Sequence, residues 1–295
     1  MVRCVVFTDL DLDGAGSLLT FKWFHPNHQI DTVGLKVSNL RDKLLSWLKT
    51  NSFESYDEVY FFDLDTSSVG DLIDRENVTI IDHHGTNTYN YKSANTDLVV
   101  TTSTSKLIYN KYKKESKIKL SFSQVELLSL IDDYDSYTLK FANSYSLDIL
   151  FWYYSGDRIS HFCERFKEGF KDFTDQEKVL INTYRKRFAK YYRQLRLYDA
   201  DISIKGKQYK FISTFVDKYV NDVAHCVIRD NEQCDITMLI NPKSKRVYFR
   251  KRKGIDVNLG KLAAALCEGG GHEYAAGGVL NERIKILSKD FQPIP

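Results

Sequence analysis

Cys4-Val5-Val6-Phe7-Thr8-Asp9-Leu10-Asp11-Leu12-Asp13-Gly14 is the stretch on which the fold turns. An apolar run ending in alternating aspartates reads as a short buried strand over Val2–Phe7, with a helix from about Ala15 to Phe24. If extended, Asp9, Asp11 and Asp13 would point to one side at spacings of about 6.8 Å. Each neighbouring pair would then repel by roughly 2–2.5 kcal/mol at an effective dielectric near 20. Three such carboxylates at a strand end call for a cation. A calcium-binding EF-hand also opens Asp-x-Asp-x-Asp-Gly, but its twelfth position must be Glu and here it is Thr20. A strand, not a helix, also precedes the loop.

Working outward, strands are expected near Ile30–Val37, Val59–Phe62 and Val78–Ile81, with helices near Leu40–Lys49, Ser105–Lys113 and Ser123–Ile131. Strands alternating with helices imply an α/β fold with a doubly wound, mainly parallel sheet. From Ile159 to Tyr198 the signal is helical, and Thr174-Asp175-Gln176-Glu177 fits a capping box. Beyond it Leu180, Tyr184, Phe188, Tyr191 and Leu195 keep one apolar face, while Lys186, Lys190 and Arg193 line another. Strands at Tyr209–Phe215, Ile236–Ile240 and Val247–Phe249 and a helix at Leu259–Cys267 follow. The expected organisation is a catalytic domain over residues 1–158, a helical connector over 159–200, and a smaller C-terminal α/β substrate domain over 201–295.

Composition narrows the function. The chain has 295 residues, 43% of them hydrophobic and 27% charged, enough for a sizeable core and two domains. No apolar run approaches the roughly 18 residues of a membrane span, and no secretion signal is recognisable. The five cysteines are scattered without a Cys-x-x-Cys pair. A cytoplasmic protein is expected, with neither a disulfide framework nor a thiolate zinc site. Residues 1–140 carry 15 Lys+Arg against 20 Asp+Glu, and residues 141–295 carry 27 against 19. An acidic half invites cations and a basic half invites phosphates, a combination suited to metal-dependent work on a polyanion.

Three further clusters stand at element ends. Phe61-Phe62-Asp63-Leu64-Asp65 closes one strand and Ile80-Ile81-Asp82-His83-His84-Gly85 another; Asp132-Asp133-Tyr134-Asp135-Ser136-Tyr137 closes an apolar helix. Taken singly, Asp63 could be a helix cap and the last cluster a polar helix end. Two adjacent histidines behind an aspartate, in a chain with 7 His, are less ordinary. In an open α/β sheet the carboxyl ends of the strands converge on one crevice. Mixed Asp/His ligation there suits Mn²⁺ or Mg²⁺, and two such ions can share a hydroxide and aim it at phosphorus.

With these motifs the sequence resembles the DHH phosphoesterase superfamily through Asp82-His83-His84. Its C-terminal part resembles the DHH-associated substrate domain through Val247-Tyr248-Phe249-Arg250, Ile255-Asp256-Val257-Asn258 and Gly269-Gly270-Gly271-His272-Glu273-Tyr274-Ala275-Ala276-Gly277. The resemblance covers nearly the whole chain. It implies two divalent ions, Mn²⁺ ahead of Mg²⁺, held by Asp9, Asp11, Asp13, Asp63, His83 and Asp133. Asp65 and Asp132 compete for places within their motifs. The resemblance also implies that His84 contacts the phosphate or attacking water, with Asp82 orienting the pair. Arg250, Gly269, Gly270, Gly271 and His272 would clamp the substrate phosphate. Seven of the eleven residues from Lys243 to Lys253 are basic, which suits that role. Ser103, ahead of a helix, could donate to phosphate or simply cap the helix.

One position departs from the family. The short-oligoribonuclease and cyclic-dinucleotide branches carry His four residues before the first metal Asp, where this chain has Phe7. The triple aspartate resembles the RecJ-type exonucleases instead, whereas the two-domain length resembles the compact nanoRNases. The implied activity is exonucleolytic hydrolysis of short or single-stranded RNA or DNA to mononucleotides, without a membrane partner. Oligomeric state is left open, a dimer being one option. The competing expectations are a cyclic-dinucleotide or nucleotide-bisphosphate phosphoesterase and a haloacid-dehalogenase-like phosphatase. The last is suggested by the Asp-x-Asp pairs at Asp9-Leu10-Asp11 and Asp63-Leu64-Asp65, but it leaves Asp82-His83-His84 without a role.

Overall fold

The computed structural model describes residues 1–271 and 273–294, so His272 lies outside the described residues. The chain divides into two compact units, Met1–Asn182 and a second from Thr183 onward. Among the described residues no helix is long and apolar enough to cross a membrane.

The first unit contains β1 (Arg3–Asp9), α1 (Leu12–Phe24), β2 (Gln29–Leu35), α2 (Leu40–Leu48), β3 (Glu58–Phe62), α3 (Gly70–Ile73), β4 (Val78–Asp82) and β5 (Asn95–Leu98). Then come α4 (Thr104–Glu115), α5 (Phe122–Asp135), α6 (Ala142–Tyr153), α7 (Arg158–Arg165) and α8 (Asp175–Tyr192), the last running past the division. The five strands are all parallel, in the order β2-β1-β3-β4-β5. That order reverses direction between β1 and β3, and such a switch point opens a crevice beyond the strands' carboxyl ends. Val5, Phe7, Val59, Phe61, Val78 and Ile80 pack one face of the sheet against Leu40 and Leu44 of α2. Phe7 stacks on Phe61 with ring centroids 4.6 Å apart.

Helix α1 is buried through nearly its whole length, against α4, α5 and α7. Its entry corrects the extended geometry expected for the triple aspartate. The strand ends at Asp9, Asp11 caps α1 by accepting from the Gly14 amide at 2.9 Å, and Asp13 lies in the first helical turn. A side chain at position 14 would place its Cβ 2.2 Å from the Asp9 carbonyl oxygen, so this turn requires glycine.

The second unit builds a seven-stranded sheet in the order β10-β11-β9-β8-β7-β6-β12. Its strands are β6 (Tyr198–Ile204), β7 (Lys207–Phe215), β8 (Ile236–Asn241), β9 (Arg246–Lys251), β10 (Gly270–Gly271), β11 (Ala275–Val279) and β12 (Gln292–Pro293). Among the described residues only β7 and β8 pair in parallel. The helices are α9 (Val220–Asp230), α10 (Leu259–Cys267) and α11 (Glu282–Leu287). Phe188, Tyr191 and Leu195 pack into this unit's core, while Lys186, Lys190 and Arg193 stay exposed. The helical signal from Ile159 to Tyr198 resolves into α7 and α8 with a loop between them. Thr174 and Glu177 form the capping box, each side chain accepting from the other's amide, at 3.3 and 2.7 Å.

Candidate metal centre

Four strand or helix ends meet beyond the carboxyl edge of the parallel sheet. Asp13 is buried, and its carboxylate accepts from the Thr104 amide at 2.7 Å and the Ser105 amide at 3.1 Å, the exposed donors of the α4 N-terminus. Asp63, just past β3, is buried in the left-handed region (φ 57°), and Thr104 Oγ1 donates to its Oδ1 at 3.1 Å. Such a conformation costs a non-glycine residue of order 1–3 kcal/mol and is concentrated at functional sites. His83 follows β4. Its Nε2 is 3.3 Å from Asp63 Oδ1 and its Nδ1 3.5 Å from Asp135 Oδ2.

Two groups therefore have ligand atoms within 4.8 Å of one another: Asp63 with His83 and His84, and Asp13 with His83 and Asp135. Asp135 Oδ2 is buried without a hydrogen-bond partner in the structure. A buried, unbonded carboxylate oxygen beside an imidazole and a second carboxylate fits a divalent cation with oxygen and nitrogen preference. Burial first, and then the field of Asp13, pushes the Asp135 carboxyl up to about 8. Burial and the neighbouring Asp11 raise Asp9 to about 7. Asp13 is raised mainly by burial, and Asp63 is raised well above the carboxylate range by burial and then by Asp13 and Asp11. Burial alone would lower His83; the bond to Asp63 and the charge of Asp135 instead lift it to about 11. Burial thus disfavours the charged forms of these carboxylates, a penalty that a bound cation would offset.

Asp82 is fully buried and accepts from the His83 amide at 2.9 Å, from Asn87 Nδ2 at 3.0 Å and from His84 Nδ1 at 2.5 Å. These bonds outweigh burial and hold its carboxyl below the usual range, while Asp82 raises His84 against the effect of burial. The Nδ1 bond fixes the orientation of the ring.

Asp133 is placed elsewhere. Its carboxylate accepts from Thr138 Oγ1 at 2.5 Å, Ser144 Oγ at 2.6 Å, the Lys140 amide at 2.9 Å and the Phe141 amide at 3.0 Å. It fastens the loop from α5 to α6, and Asp135 stands at the cluster in its stead. Helix α5 runs through Asp135, so Ile131 and Asp135, four residues apart, share a face from which Asp133 is turned by about 160°. Asp132 accepts from Thr102 Oγ1 and the Ser103 amide, and Asp65 caps a turn at Ser67. Asp11 borders both groups through its field on Asp13, Asp63 and Asp135, and Asp9 lies within range of His84; neither joins a group. Phe7 is wholly core.

Ser103 is fully buried and caps α4, its hydroxyl accepting from the Lys106 amide at 3.4 Å. Ser103 thus caps the helix, the other of the two roles read from the sequence, and Asp13 accepts from the next amides. In the second unit Arg250 donates to Asn221 Oδ1 at 2.6 Å. Gly269 stands between α10 and β10, and Gly270 and Gly271 pair antiparallel with Gly277 and Ala276. Gly271 has φ 134°, a conformation that favours glycine. The basic stretch is not uniformly solvated. Lys251 is buried with its Nζ on Glu273 at 2.6 Å, and Arg252 donates to the carbonyls of Cys234, Ile228 and Asn231.

No family model and no curated protein matches the chain. Solved structures do. The pGpG-specific phosphodiesterase PggH from Vibrio cholerae is 15% identical over 98% of this chain and 97% of its own, with a TM-score of 0.58. RecJ in complex with Mn²⁺ from Thermus thermophilus is 12% identical with a TM-score of 0.56; the match takes in 99% of this chain and 53% of RecJ, about half its length. The DHH domain of a protein described as a member of the s1p family of ribosomal proteins is 12% identical, with a TM-score of 0.56 over 97% of this chain and 85% of that one. The fold of this chain is a RecJ/DHH-like two-domain fold.

Proposed function

We propose that this chain is a metal-dependent phosphodiesterase of the DHH type, acting as an exonuclease on short or single-stranded nucleic acid. The observation that carries the reading is the convergence of Asp13, Asp63, His83 and Asp135 at the switch point of a parallel sheet, with a buried carboxylate oxygen left without a hydrogen bond. These four residues, bordered by Asp9 and Asp11, would hold two divalent ions, Mn²⁺ ahead of Mg²⁺. Divalent ions held there supply Lewis acidity toward phosphoryl oxygen and lower the pKa of water.

The chain's own residues do the rest. Asp82 locks the His84 ring through Nδ1, so that Nε2 can donate to a phosphate oxygen or to the departing oxygen. Asn87 holds Asp82 from its other side and prevents the carboxylate from rotating away. In the second unit Arg250 and the amides of Gly269, Gly270 and Gly271, with His272, would take a terminal phosphate. The fold relatives support a phosphoesterase, since one is a pGpG-specific phosphodiesterase. That relative also favours a second reading, a phosphodiesterase confined to dinucleotides.

The test is a Mn²⁺-dependent digest of 5′-labelled RNA and DNA from 2 to about 24 nucleotides, with cyclic dinucleotides alongside. Stepwise release of mononucleotides, abolished in His83→Ala, supports the exonuclease. Hydrolysis restricted to dinucleotides would select the second reading, and no hydrolysis of any phosphodiester would refute both.

A further inference from the structure

The carboxyl rim of the first unit bears an aromatic and cationic feature outside the metal cluster. Trp152, at the end of α6, is 48% exposed, and neighbouring Tyr153 is 67% exposed. The Arg158 guanidinium carbon lies 4.8 Å from the centre of the Trp152 ring. Arg158 is anchored by Nε donating to the Tyr154 carbonyl at 3.1 Å, which orders its stack on Trp152. The other two tryptophans are engaged: Trp23 donates to the Lys167 carbonyl and Trp47 stacks on Phe53.

The position of this pair relative to the cluster follows from α6. In its first turn Ser144 donates to Asp133, two residues from Asp135. Trp152 is eight residues further on, about 12 Å along the helix. Just beyond it, Ile159 and Leu10 both crowd Gly34 near the end of β2, at 3.4 and 2.3 Å from where its Cβ would be. Leu10 is the neighbour of Asp9. Helix α6 therefore spans the rim from the Asp135 side to the Asp9 side, and the Trp152–Arg158 pair stands at its far end. Lys36, past β2, is close enough for its charge to lower Asp9. An exposed indole and two cations on the rim of an otherwise acidic unit suit a base-bearing polyanion.

We propose that Trp152 and Arg158 form a stacking platform for a nucleobase of a single-stranded oligonucleotide, set away from the phosphate at the metal cluster. The proposal rests on the hydrolytic reading above for its substrate. It adds that strands long enough to reach the platform gain affinity that a dinucleotide does not.

The test combines binding and turnover. A phosphorothioate-linked pentathymidylate titrated with Mg²⁺ present should quench tryptophan fluorescence in the wild type and not in Trp152→Phe. Trp152→Ala should raise KM on a pentanucleotide by roughly five- to a hundredfold and leave a dinucleotide within about twofold; Trp152→Phe should retain most of the wild-type KM. Equal losses on both lengths, absence of quenching, or a changed oligomeric state with unchanged oligonucleotide kinetics would overturn it. If the wild type hydrolyses neither length, the hydrolytic reading fails, and the quench alone decides the platform.

Discussion

His84 Nδ1 lies 2.5 Å from Oδ1 of the fully buried Asp82, and that bond fixes the orientation of the imidazole. Replacing Asp82 with Asn keeps the shape and removes the charge that holds the ring. Asp82→Asn is expected to lower kcat by about 10–100-fold, the usual cost of losing a partner that orients a functional histidine. A kcat within twofold of wild type would show that His84 needs no such partner.

Asp133 and Asp135 are two residues apart and do different work. Asp135→Ala should abolish most activity and weaken metal binding while leaving the melting temperature of the metal-free protein unchanged or raised, because it removes a buried carboxylate whose Oδ2 lacks a hydrogen bond. Asp133→Ala should lower that temperature by several degrees, since four donors lose a buried charged acceptor. Thermal melts of both variants in chelator, set beside Mn²⁺ affinities, check the pair. The reverse pattern would return Asp133 to the cluster.

The raised carboxyls of Asp9, to about 7, and Asp135, to about 8, set a pH dependence. Their unfolded values are near 3.9, so between roughly pH 4 and 8 the metal-free folded state binds more protons than the unfolded one. The stability these groups contribute is full below about pH 4 and is lost as pH rises through 7 and 8. A divalent ion takes over from those protons. The gap in melting temperature between Mn²⁺-saturated and chelated protein should widen from pH 5 to pH 8, reaching about 5–10 °C at a hundredfold excess over Kd. A gap that stays constant or narrows would contradict the assignment.

Gly14 is the tightest joint of the site. Alanine there would meet the Asp9 carbonyl at 2.2 Å and push the strand end away from α1. Gly14→Ala should cost several kcal/mol and disable metal binding together with folding. Folded Gly14→Ala with wild-type activity would show that the turn yields more easily than its geometry implies.

Much of this is legible in the sequence, and the failures have identifiable causes. The strands β1, β3 and β4 are continuous apolar runs because a parallel sheet is covered on both faces. Helix α10 begins and ends where periodicity places it, over Leu259–Cys267. Strand β5 escapes the pattern because Asn95-Thr96-Asp97-Leu98 is a short, largely polar strand at the sheet edge. Helix α6 escapes it because its first half, Ala-Asn-Ser-Tyr-Ser, carries no strong helical signal. At the site, Asp63 and His83 stand together in the structure, whereas Asp135 is not singled out by its motif. Motif alignment favours Asp133, although helical spacing from Ile131 singles out Asp135. The triple aspartate misleads in another way, since its alternation reads as an extended strand where Asp11 in fact starts a helix.

The central claim is that the strand ends form a two-ion centre. Calorimetric titration of chelator-stripped protein with Mn²⁺ at pH 7.5 tests it most directly, run for the wild type and for Asp135→Ala. Two ions per chain in the wild type and fewer, or much weaker, binding in the variant are expected. Absence of any Mn²⁺ binding tighter than millimolar, or identical titrations for both proteins, would contradict the account.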